Sequence, residues 1–122
     1  MQGRHGIVLF AHGSRDVRWR EPVEAVAARI TELDPHVLAR CAYLEACEPD
    51  LTAAVTELAR SGAVRIHVVP VFLGVGKHLR EDLPRLVDEL RRTHPSLQLT
   101  LGTAVGETPA LVDALAQIAL KI

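Results

Sequence analysis

Three residues of this chain suit metal or proton chemistry, and each stands at or just beyond the end of an apolar run. His12 follows GIVLFA (6–11), Glu45 closes VLARCAYLE (37–45), and His78 follows VRIHVVPVF (64–72) and a glycine-loosened stretch. Two imidazoles and a carboxylate form a donor set for cobalt, nickel, iron or zinc. The same groups move protons near neutral pH. Either use requires the three run ends to converge. A histidine after a strand is more commonly an ordinary hydrogen-bonded residue, so spacing alone leaves both readings open. Their neighbours add to the picture. Ser14 and Arg15 follow His12, while Gly74, Gly76 and Lys77 precede His78 and Arg80 follows it. Glycines let a backbone approach a ligand closely, and Arg15, Lys77 and Arg80 are donors for carboxylates. Ser14 lies in A-H-G-S-R, which lacks the first glycine of a G-x-S-x-G nucleophile elbow. It is expected to order the loop or bind an anion rather than attack a carbonyl. His5, His36, His67 and His94 sit near the terminus, beside prolines or inside a run, and are read as structural.

These residues must be positioned by the elements between them. The runs 6–11, 37–45, 64–72 and 97–101 read as strands, the third one apolar enough to be covered on both faces. Helices are expected from Glu21 to Leu33, from Leu51 to the Ser61-Gly62 stop, from near Asp82 to His94, and after the Thr108-Pro109 start. Pro22 and Pro84 are placed in first turns, where proline is tolerated, which leaves His78 in a loop. Each helix carries a stripe for the core, and Leu111, Val112, Leu115, Ile118 and Ala119 are assigned that role in the last one. Strand and helix alternate four times. That order predicts one parallel sheet with helices on both faces and right-handed crossovers. Ligands of such sheets bind beyond the carboxyl ends of the strands, where His12, Glu45 and His78 all fall.

Composition narrows the function. The 122 residues suit a single domain (1–122), and a formal net charge of -1 gives no electrostatic basis for nucleic-acid binding. No run approaches the length of a membrane span, and the segment before the first strand is too short for a signal peptide. Cys41 and Cys47 make no disulfide framework, so a cytoplasmic protein is expected.

Three segments carry a family likeness: LFAHGSRD (9–16), AYLEACEPDL (42–51) and PVFLGVGKHLREDLP (70–84). In content, order and spacing the chain resembles the small sirohydrochlorin chelatases of the CbiX/SirB type. The resemblance implies a chelatase-like α/β three-layer sandwich with a four-stranded parallel sheet. It implies insertion of a divalent metal, cobalt first and iron or nickel also, into sirohydrochlorin on the way to cobalamin or siroheme. The metal is then substrate, no cofactor is permanently bound, and the tetrapyrrole is the partner, with neither nucleic acid nor membrane involved. His12 and His78 become metal ligands and Glu45 an aid to deprotonation. Ser14, Arg15, Gly74, Gly76, Lys77 and Arg80 surround the macrocycle, and the working unit is a homodimer. Two positions depart from the family pattern. Val17 stands where proline is frequent, and Gly106-Glu107-Thr108-Pro109 lacks a histidine common before the proline. A different class remains alongside, a metal or tetrapyrrole carrier that binds without turnover.

Overall fold

The computed structural model describes residues 3–121. Four strands alternate with four helices: β1 (Arg4–Ala11), α1 (Val17–Leu33), β2 (Leu38–Tyr43), α2 (Leu51–Arg60), β3 (Ala63–Pro70), α3 (Lys77–Thr93), β4 (Gln98–Leu101) and α4 (Pro109–Leu120), with a short 3-10 turn at Val105–Glu107 before the last helix. The strands form one sheet in the order β2-β1-β3-β4, and every neighbouring pair is parallel. This is the expected α/β architecture.

The sheet separates two unequal cores. On one face Val8, Phe10, Ile66, Val68 and Leu99 meet Leu51, Val55 and Leu58 of α2 and Leu83, Val87 and Leu90 of α3. The stripes of α2 and α3 were legible because their apolar residues recur every three or four positions with no competing apolar face. On the other face only Leu9, Ala11, Val23 and Tyr43 are buried together, with Ala27 and Ile30 of α1 packed against them. β3 is therefore not covered on both faces. Arg65 and His67 are exposed on it, and Val64 near its start is 44% exposed. His67 pairs with Thr100 Oγ1 at 2.7 Å, a structural role as expected.

Two helices begin earlier than the sequence suggests. α1 starts at Val17 and α3 at Lys77, so Pro22 and Pro84 lie inside helices and His78 is helical rather than in a loop. Asp16 caps α1 by accepting the Arg18 N–H at 2.9 Å, which fixes the earlier start. Each proline removes one intrahelical donor. Both prolines are exposed, so the carbonyls they leave without a partner are on the wet side of the helix.

α4 departs furthest from expectation. Thr108 and Pro109 open it as predicted, yet none of its residues is buried. Val112, Leu115 and Ile118 were assigned to the core and are 57%, 43% and 66% exposed. Periodicity identifies an apolar face but not what covers it. Here the sheet of the same chain does not.

Candidate active site

The ends of β1 and β2 leave the sheet as a pair. The Leu44 N–H donates to the Ala11 carbonyl at 2.9 Å and the Glu45 N–H to the His12 carbonyl at 3.1 Å, continuing the inter-strand pattern past the strands. Gly13 makes this approach possible. Its φ of +100° lies in the left-handed region, and a Cβ built there would run into the Glu45 carbonyl oxygen. The two backbones so joined bring His12 Nε2 to 2.7 Å from Glu45 Oε1, with both side chains more than half exposed. A carboxylate only accepts hydrogen bonds, so Nε2 carries the proton in this contact and, in the neutral ring, Nδ1 holds the free lone pair. An imidazole with a free ring nitrogen and a carboxylate thus belong to one contact pair. Beyond Glu45 the chain turns through Ala46 at φ 68°, and Asp50 caps α2 by accepting the Ala53 N–H at 2.8 Å.

His78 is the second residue of α3, exposed, on the helix that follows β3. β3 is the sheet neighbour of β1, so His78 and His12 belong to the same sheet edge. Among the described residues no three His, Cys, Asp or Glu side chains come together as an ion site. The structure therefore joins His12 to Glu45 and leaves His78 outside that contact.

The remaining sequence candidates separate by what they touch. Ser14 Oγ accepts the Asp16 N–H at 3.0 Å and orders the loop before α1. Arg15 and Lys77 are exposed. A Cβ at Gly74 or Gly76 would meet nothing within 4 Å, so neither glycine is required by its own surroundings. Arg80 is engaged: its Nε donates to the Val75 carbonyl at 3.2 Å and its Nη2 to Glu107 Oε1 at 3.3 Å. Sequence reasoning treated Arg80 as free for substrate and gave Glu107 no role beyond standing near an absent histidine. Gly13 and Gly106, which set loop contacts, were also missed as functional positions. Their only sequence signal was a glycine in the loop that follows a strand.

Under the loops, Tyr43 is 3% exposed. Burial first, then the negative surroundings of Cys41 and Glu24, push its phenol up to about 12. Burial likewise raises the Cys41 thiol. A groove of about 510 Å³ runs beside β2 past Arg20, Arg40, Cys41, Tyr43 and Glu57, and neither His12 nor His78 lines it. A smaller cleft of about 140 Å³ lies under Val75, Leu79, Arg80, Ala104 and Glu107.

The CbiX family model matches residues 6–121. The chain belongs to the CbiX family. A sirohydrochlorin cobaltochelatase from Methanococcoides burtonii is 27% identical, the match covering all of this chain and 99% of that one. Another from Methanopyrus kandleri is 38% identical over 66% of this chain, which spans 57% of that protein's length. Among solved structures, a cobalamin (vitamin B12) biosynthesis CbiX protein from Marinobacter aquaeolei superposes with a TM-score of 0.82 at 35% identity, covering 96% of this chain and 95% of that one. The sirohydrochlorin chelatase SirB from Bacillus subtilis, in complex with cobalt, has a TM-score of 0.80 at 23% identity, covering 98% of this CbiX chain and 51% of its own, a likeness of fold. Among the described residues no helix is long and apolar enough to cross a membrane.

Proposed function

We propose that this CbiX-family chain is a sirohydrochlorin chelatase that inserts a divalent metal, cobalt first and iron or nickel also, into the macrocycle. The observation that carries this reading is the His12–Glu45 contact at the strand-end edge of a chain of this family. Insertion exchanges one M²⁺ for two pyrrole protons. The ion needs ligands that release it, and the protons need an acceptor. His12 and His78 would hold the ion with most of its coordination positions open, as suits a substrate rather than a resident cofactor. Glu45 would receive one pyrrole proton and pass it to water before or while the second leaves to solvent, His12 meanwhile giving its free lone pair to the metal. Arg15 and Lys77, at the same edge, would meet the carboxylates of the macrocycle, while Leu73 and Leu79 would lie against its face.

The working unit in this reading is a homodimer. α4 exposes Val112, Leu115, Ile118 and Leu120. An apolar groove of about 370 Å³ lined by Leu9, Val26, Val69, Val71 and Leu73 lies open on the α1 side of the sheet. Parallel sheets are normally covered on both faces. A second copy brings the same helix and the same groove, so one two-fold contact covers all four surfaces. Sedimentation equilibrium should give a dimer for the wild type and a monomer for Leu115→Glu; a monomeric wild type refutes the pairing.

The function itself is tested anaerobically by mixing protein with excess sirohydrochlorin and adding cobalt, iron or nickel singly. Many insertions per chain establish a chelatase. A change that stops at one equivalent makes the protein a carrier instead.

A further inference from the structure

The loop between β3 and α3 is gripped from the β4 side at two points. At its start the Gly106 N–H donates to the Phe72 carbonyl at 2.9 Å. Gly106 lies so close to the Leu73 backbone that a Cβ there would collide with the Leu73 carbonyl. At its end Arg80 reaches back from the first turn of α3. Its Nε bonds the Val75 carbonyl at 3.2 Å while its Nη2 bonds Glu107 at 3.3 Å. The planar guanidinium makes both contacts with one rigid group, which a lysine ammonium on a flexible stem does not do. The Arg80 N–H meanwhile closes the first turn of α3 on the Gly76 carbonyl at 3.1 Å. One residue therefore joins the glycine-rich loop, the turn bearing His78 and the 3-10 turn before α4.

We infer that Arg80 is a positioning residue, latched by Glu107, that sets the β3–α3 loop and with it the turn carrying His78. The inference rests on the proposed chelatase reading for its effect on turnover, but the latch itself does not. It reassigns Arg80 from a carboxylate donor for the macrocycle to a brace. It also gives Glu107 a reason to be acidic at a rim where an anionic substrate would otherwise disfavour it.

The test compares Glu107→Gln and Arg80→Lys with the wild type in the full chain, first without ligand. Hydrogen exchange should accelerate about two- to fivefold at the Gly106 and Arg80 amides in both variants, the size expected for loss of an exposed ion pair. Amides of β1 and α2 should be unchanged. In the cobalt–sirohydrochlorin assay kcat should fall two- to fivefold with KM within twofold of wild type. Unchanged exchange in both variants overturns the latch. A lowered KM in Glu107→Gln with unchanged exchange overturns it too, because it means that Glu107 merely competes with the macrocycle for Arg80. If the wild type shows no turnover, the exchange result still decides the latch, and only the chelatase reading falls.

Discussion

Gly13→Ala is the substitution whose consequence is best fixed by the geometry. Gly13 combines a φ of +100° with a Cβ position occupied by the Glu45 carbonyl. Holding a non-glycine residue in a sparsely populated region costs about 1–3 kcal/mol. Moving the Glu45 carbonyl aside also strains the 3.1 Å bond from the Glu45 N–H to the His12 carbonyl, worth about 1 kcal/mol. The sum is about 2–4 kcal/mol, or roughly 8–16 °C in Tm for a domain of this size. Because the displaced group is the backbone beneath the His12–Glu45 contact, insertion activity at permissive temperature should fall as well, by about tenfold or more. Gly74→Ala is the control, since its Cβ meets nothing within 4 Å and its Tm should stay within a few degrees of the wild type. Thermal unfolding by circular dichroism and the anaerobic insertion assay read both effects. A Gly13→Ala protein with the Tm and turnover of the wild type would show that the loop does not need this close approach.

His12→Ala and His78→Ala should each reduce kcat/KM for insertion by about 100-fold or more while leaving the circular dichroism spectrum unchanged, as removal of a metal-binding group does. Glu45→Gln, which keeps shape but loses the basic oxygen, should lower kcat by about 10²-fold with little change in metal binding measured by titration calorimetry. Gly106→Ala must push the Leu73 carbonyl aside; limited proteolysis should then cut within 71–76 faster than in the wild type. Glu57 is held below the usual carboxylate range, chiefly by its hydrogen bond from Arg40 and then by one from Ser61. Its folded value is lower than its unfolded one, so the stabilisation is full above the unfolded value near 4 and disappears as pH falls through the folded one. The side chain is 49% exposed, which limits the effect to below about 1 kcal/mol. The stability gap between wild type and Glu57→Gln, read by urea denaturation, should therefore be constant at neutral pH and close progressively as pH falls below the unfolded carboxylate range.

The order of elements, the parallel sheet and the strand-end position of His12 and Glu45 could be read from the chain because alternating apolar runs and breakers constrain topology strongly. The helix starts could not. A proline in the first turn is the common case, but Pro22 and Pro84 face water, where a lost backbone bond is cheaply replaced. Asp16 as a cap outweighs the proline as a start signal in α1. The covering of α4 was misjudged for a different reason. Leu115 and Ile118 recur as core residues do, and sequence periodicity carries no information on whether the surface they need belongs to the same chain. In the site, the 2.7 Å contact of His12 with Glu45 depends on a backbone approach allowed by Gly13, and Arg80 is tied by Glu107 from a loop 27 residues away in sequence. Neither pairing has a local signature.

The central place of β1 has a consequence for how the protein is made. β1 is hydrogen-bonded to β2 on one side and to β3 on the other, with Phe10 opposite Pro70 in register. β1 therefore waits, half paired, until the chain through Pro70 is available to pair with it. Pairings between segments so distant in sequence form slowly, and an unpaired apolar strand invites association with other chains meanwhile. His12 lies at the end of that waiting strand. His12 therefore acquires its final setting beside the β3–α3 loop only after β3 has docked against β1.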